Sequence, residues 1–328
     1  MLSTDSNKRS RCHQSGFTLI ELMISLVLGL IISAAVIQIY IINVKTSSVQ
    51  VSGSELQDAS VFGLQQLEKK VRVANLGNPA TRIDGTTAKG GIVLTAANLG
   101  ITATPYANVG YLTRRADDDT GGTNGWTGIS NTAVPSDQLT IQYTNITGSP
   151  FSDCEGSAVE VNDIAVERYF LRPVTGDSSS GAVKNLVLAC DAGRVDAAVG
   201  GFKTMTSNSD PRNFGQAGQE YIINVDQFKV LLGVHYDSGS NAGQLMYLPS
   251  NAYLSITTDK PAITAIKMGL IVHGTTPILN SDDQTSFTLL GQSNVLKTDT
   301  ARQKQVRTTY ETTTLLRNAR VVNVKTGL

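Results

Sequence analysis

Glu21 is the one charged residue between Arg11 and Lys45, and the run around it, residues 17–44, is otherwise almost wholly apolar. Placing a carboxylate in a bilayer costs about 2.5–3.5 kcal/mol even on the lenient insertion scale, so an acid kept there implies a function and a partner. Other side chains able to do chemistry are sparse. The three histidines (His13, His235, His273) and three cysteines (Cys12, Cys154, Cys190) show no metal-ligand or Cys/His spacing. No Gly-x-Ser-x-Gly nucleophile elbow occurs. Asp117, Asp119 and Asn124 share a Gly-rich loop, but it lacks the third oxygen ligand and closing glutamate of a calcium loop. These patterns predict no enzyme, no metal site and no cofactor.

The element that must carry Glu21 is a helix. Residues 17–44 are long and apolar enough to cross a bilayer. Lys8, Arg9 and Arg11 precede them, which predicts a cytoplasmic amino terminus and an exported remainder. A cleaved secretory signal is the competing reading, but its apolar region covers only about 7–15 residues. Glu21, Ser25, Gly29 and Ser33 recur at intervals of four and so share one slowly drifting stripe, small enough to admit a neighbouring helix.

From Lys45 the chain turns polar without a helix stop. Leu56, Ala59, Gly63, Leu67, Val71 and Ala74 trace one apolar face, until Gly77 and Asn78-Pro79 end the pattern. The expectation is one helix over 17–76, about 90 Å long, weakest at Gly53 and Gly63. Its first half (17–44) is apolar all round; its second (45–76) has one face to bury.

Residues 77–328 are rich in Gly, Ser, Thr, Asn and Asp between β-branched runs. Strands are expected at 91–95, 139–143, 164–171, 183–189, within 221–236, at 262–272, and at 308–324 with a break near Arg317-Asn318. Residues 113–128 and 200–218 read as loops. The fold class is α+β: a long amino-terminal helix, membrane-spanning then amphipathic, packed on a mainly antiparallel β-rich head. The net charge is zero, and the basic residues near the carboxy terminus (Lys297, Arg302, Lys304, Arg307, Arg317, Arg320, Lys325) fit a solvated face better than a nucleic-acid patch.

The junction Gly16-Phe17-Thr18-Leu19-Ile20-Glu21, set between a basic leader and a long apolar helix, resembles the class III signal of type IV prepilins and pseudopilins. The resemblance implies cleavage between Gly16 and Phe17 by prepilin peptidase, removal of residues 1–16, and N-methylation of Phe17. The new amine at Phe17 would then pair with Glu21 of a neighbouring subunit, offsetting two desolvation costs at once. Cys12 leaves with the leader, and Cys154 with Cys190 is the complement for one disulfide in an oxidising compartment, two free buried thiols being the alternative.

Within that family, three stretches resemble the PilW branch of minor pilins. These are Glu167 to Leu171 between the two cysteines, Val225 to Val234, and Thr312 to Asn318. The resemblance implies a structural subunit of type IV pilus assembly that primes filament growth at or near the tip. Its implied partners are the inner membrane, sister minor pilins, the major pilin and a tip adhesin, with no nucleic acid. A J-type pseudopilin of type II secretion, or an adhesive or DNA-contacting tip subunit, is the runner-up.

Overall fold

The computed structural model describes residues 16–100, 109–115, 125–177, 181–196, 200–203, 213–278, 284–299 and 303–319. The chain divides into two compact units, Met1–Ser48 and Val49–Leu328. Residues 1–15 of the leader and the candidate calcium loop at 117–124 lie outside the described residues.

The first helix, α1 (Leu19–Val73), contributes to both units. In the first unit its apolar side chains are exposed, Leu22 at 61% and Leu30 at 65%. This stretch is long and apolar enough, by length and composition, to cross a membrane. In the second unit Leu56, Leu64, Leu67 and Val71 are buried, following helical spacing. Gly63 lies where a methyl would come 2.6 Å from Ile222 Cγ1, so this glycine permits a close strand approach. The helix is shorter at both ends than 17–76. Thr18 stands outside it as a cap, and Asn75, at φ 65°, turns the chain two residues past Val73. Its amide then bonds Gln142 O (3.0 Å) instead of a helical carbonyl.

Two antiparallel sheets complete the head. The first contains β1 (Leu139–Thr144), β4 (Ile164–Pro173) and β5 (Leu186–Asp196) in that order, with β6 (Gly201–Phe202) and β7 (Gln219–Ile222) both pairing β5. The second has β13 (Gln305–Leu315), β10 (Ala262–Pro277), β8 (Val225–His235) and β9 (Leu245–Leu248) in that order. Two small hairpins, β2 (Phe151–Ser152) with β3 (Ala158–Val159) and β11 (Ser286–Leu289) with β12 (Gln292–Val295), are attached. Helix residues Leu67 and Val71 share one core with Ile141, Tyr169 and Leu188 of the first sheet and Phe228, Ile266 and Met268 of the second.

Two strand expectations need correction. Residues 91–95 form no strand: Ile92 makes a single bridge to Ile141, and Thr95 opens the short helix α2 (Ala96–Leu99), closed by Gly100 at φ 67°. Asn98 directs this, its Oδ1 accepting the amides of Leu94 and Thr95. The strand expected at 183–189 begins at Leu186 and runs past Cys190, because the Val183 and Lys184 amides go to Asp299 and Asn131. The final strand runs Gln305–Leu315, starting three residues earlier than expected, and breaks at a turn over Arg317 and Asn318 where the break was expected; residues 320–324 lie outside the described residues. Within 200–218, Gly201–Phe202 is a short strand rather than loop.

Candidate functional site

The helix start carries a capping box. Thr18 Oγ1 accepts the Glu21 amide (3.3 Å), while the Glu21 carboxylate accepts the Thr18 amide and hydroxyl, both at 3.1 Å. Sequence reasoning missed Thr18, although Thr-x-x-Glu ahead of an apolar run is the ordinary signature. The consequence is chemical. Glu21 is held at the first turn by its own chain, with Oε2 engaged and Oε1 free of protein donors among the described residues. A preformed carboxylate with one open oxygen suits a cation arriving from outside the chain.

The stripe below it is quieter than its residue types suggest. Ser25 donates to Glu21 O (2.7 Å) and Ser33 to Gly29 O (2.8 Å). Both hydroxyls are spent on the preceding helical turn, and a Cβ at Gly29 would meet nothing within 4 Å. Such a surface offers close packing rather than hydrogen bonding. The geometry thus brings Phe17, Thr18 and Glu21 together at one helix end and aligns Ser25, Gly29 and Ser33 beneath them. Gly16 precedes the helix, and Phe17 is 84% exposed.

The head's chemistry-bearing groups sit elsewhere and are structural. Cys154, in the turn between β2 and β3, is disulfide-bonded to Cys190 of β5, with Cα atoms 6.2 Å apart. Beside the bridge, the buried Glu167 accepts from Tyr143 Oη, Tyr169 Oη (both 2.7 Å) and the Cys154 amide (3.0 Å), with Lys70 Nζ at 3.6 Å. Both sulfurs lie within 4.8 Å of that carboxylate but are committed to the disulfide. Burial, then the charge of Glu167, pushes both phenols well above their ordinary range, so they stay donors. Arg168 pairs with Asp191 at 2.9 Å, and its guanidinium lies 3.9 Å from the Phe170 ring centre. Burial still pushes Asp191 up to about 6 and Glu155 up to about 8.

The head's remaining aromatic and basic side chains have structural partners as well. Trp126 is half-buried, 5.5 Å from Phe170. His273 packs 3.8 Å from Asp226, the partner of Arg307 at 2.9 Å. Arg307 is therefore buried inside the head and is no part of a basic surface. Arg302, Arg320 and Lys325 lie outside the described residues.

The stretch Thr312 to Asn318 closes the last strand onto the end of α1. Thr312 Oγ1 donates to Glu68, Asn318 Nδ2 to Ala74 O (3.3 Å), and Asn75 Nδ2 to Asn318 O (2.8 Å).

Two family models match the chain. Residues 11–37 match the prokaryotic N-terminal methylation motif, which spans the junction and the first turns of α1. With the apolar helix and antiparallel head, this match supports a likeness of the chain to the type IV pilin family. Residues 195–318 match the type IV pilus-assembly protein W model, so the chain resembles PilW, a minor pilin. Pilin families are structural subunits, and the methylation motif is a substrate signal. The apolar helix with that motif fits an inner-membrane anchor. Among solved structures, a type IV-like pilin from Thermus thermophilus aligns at 13% identity over 56% of this chain and 79% of its own, with a TM-score of 0.28. A superposition that loose carries no weight. No curated protein matches the chain.

Proposed function

We propose that the chain is a minor pilin of type IV pilus assembly that primes filament growth and sits at or near the tip. On this reading the peptidase cuts between Gly16 and Phe17, Phe17 is N-methylated, and residues 17–44 stay in the inner membrane until assembly. The amino terminus starts in the cytoplasm and the head in the periplasm; assembly then carries the head into the surface pilus. The observation that carries the reading is Glu21: the one carboxylate of the apolar stretch 17–44, preorganised by Thr18, with an oxygen left over. A methylated amine at Phe17 of a neighbouring subunit supplies the missing cation. Ser25, Gly29 and Ser33 mark where that neighbour packs. Partners on this reading are prepilin peptidase, sister minor pilins, the major pilin and a tip adhesin.

The match over residues 195–318 favours the pilus over a secretion pseudopilus. Deleting the gene and counting pili tests the priming role. Loss of nearly all piliation is expected; normal piliation with only surface binding lost points to an adhesive subunit instead.

A further inference from the structure

We propose that, before its disulfide forms, the head binds one zinc ion between the thiolates of Cys154 and Cys190 and the carboxylate of Glu167. The inference goes beyond the pilin reading and requires only that the head be exported with its thiols reduced.

Strand alternation gathers the ligands. In the β4–β5 register Tyr169 lies opposite Cys190, so Glu167, two residues along β4, shares their face of the sheet. The turn after β2 brings Cys154 over that face, and the two sulfurs and a Glu167 oxygen all lie within 4.8 Å of one another. Tetrahedral zinc, with bonds of about 2.3 Å to sulfur and 2.0 Å to oxygen, spaces such ligands roughly 3.5–3.8 Å apart. With the two sulfurs unbonded, shifts of about 1 Å per atom reach that geometry.

The turn that carries Cys154 is anchored independently of the disulfide. Asp153 accepts the Glu155 amide (2.9 Å) and the Ser157 amide (2.8 Å) and pairs with Arg194 at 2.6 Å. Glu155 accepts the Ala192 amide of β5, and the Cys154 amide donates to Glu167, both at 3.0 Å. The reduced sulfurs therefore stay facing each other, and a metal meets a site already formed.

Glu167 has the environment of a ligand. Its Oε1 accepts from Tyr143 Oη and the Cys154 amide, whereas Oε2 accepts only from Tyr169 Oη among the described residues, which leaves Oε2 a lone pair. Donors behind a ligating carboxylate fix its orientation. Charge also balances: two thiolates and Glu167 are offset by Zn²⁺ and by Lys70 Nζ, 3.6 Å from Oε1. Two thiolates favour zinc over the hard cations calcium and magnesium.

Metal and disulfide are then alternative states of one site. A protein disulfide oxidant takes two electrons from the two thiolates as the Cys154–Cys190 bond forms, and is itself reduced to two thiolates. The zinc leaves as Zn²⁺, and Glu167 keeps Lys70 and its two tyrosines. Until that exchange the metal ties the turn to β5 and shields both thiols from wrong partners.

The test uses the full chain carrying Cys12→Ser, which removes the one thiol outside the site, reduced by a phosphine in detergent. Co²⁺ serves as a spectroscopic probe and Zn²⁺ as its competitor. The expected result is one cobalt per chain with a thiolate-to-cobalt charge-transfer band, both lost when Zn²⁺ is added or the chain is oxidised. Glu167→Gln keeps the side chain's shape and an acceptor oxygen, and should weaken zinc binding at least ten-fold while the band persists. X-ray absorption at the zinc edge of the chain with Glu167 intact should show two sulfurs at about 2.3 Å and oxygen at about 2.0 Å. No band in the reduced chain, equal binding by the oxidised chain, four sulfurs around the metal, or unchanged affinity in Glu167→Gln would each overturn the proposal.

Discussion

Residues 19–48 and 49–73 of α1 share one helix but handle their polar groups in opposite ways. In the first stretch Ser25 and Ser33 turn back to their own helix and Glu21 to its own cap, while the large apolar side chains from Leu19 to Ile42 are exposed. In the second stretch polar groups reach across to the head. Ser52 bonds Thr276 O, Glu55 the Thr275 amide and hydroxyl, and Glu68 Thr312, while Leu67 and Val71 are fully buried. The second stretch is complete within the chain. The first is complete only when lipid or other helices cover it, and its single carboxylate is complete only with a cation from elsewhere.

The sharpest way to break this contrast is Glu21→Ala. Filament incorporation should fall at least ten-fold while membrane insertion and the head's urea midpoint stay unchanged. Normal incorporation of the variant would remove Glu21 from assembly.

Next in size is the double change Cys154→Ser with Cys190→Ser. It releases a loop with a sequence separation of 36, and the head should lose about 4 kcal/mol in urea unfolding on the chain-entropy model. The helix in the membrane should be untouched, so insertion assays must match the wild type. A loss in both regions would contradict their independence.

Two glycines of the same helix sharpen the comparison further. Gly63→Ala drives a methyl into Ile222 and should destabilise the head by about 1–3 kcal/mol, despite the better helix former. Gly53→Ala meets nothing within 4 Å and should gain up to about 1 kcal/mol. Equal effects from both would mean that helix propensity, not the approach of β7, sets the value of Gly63.

The smallest effect is on pH dependence. Glu155 is raised from its ordinary 4.5 to about 8, mainly by burial, so its neutral form suits the fold. Its contribution is fully present below about pH 4.5 and is lost as pH rises toward 8. Glu155→Gln keeps an acceptor for the Ala192 amide, 3.0 Å from the native carboxylate, and should flatten the decline in urea midpoint between pH 5 and pH 8.5. An unchanged slope would exclude Glu155 as its source.

Much of the first region was legible because its signals are local. Gly16, Phe17 and Glu21 lie within six residues, the apolar run is unbroken, and a spacing of four reveals the stripe. Thr18 was equally local and was missed only because Glu21 already had an intermolecular explanation. The head was legible where alternation or apolar runs gave strands, as at Leu139–Thr144 and Ala262–Pro277. It was opaque where distant partners decide. Asn75 ends the helix early through bonds to Ala80, Gln142 and Asn318. Arg168 and Glu167 are buried on β4 because Asp191, Tyr143 and Lys70 meet them there, and no neighbouring residue announces those partners. Residues 183–185 leave the strand because Asp299, Asn131 and Asp177 claim their amides in turn.

The central claim is that cutting after Gly16 creates the cation that Glu21 awaits. Mass spectrometry of the amino-terminal peptide from cells with an active prepilin peptidase tests it most directly. The account predicts a peptide beginning at N-methylated Phe17. A chain retaining residues 1–16, or one cut near Ala35, would contradict it.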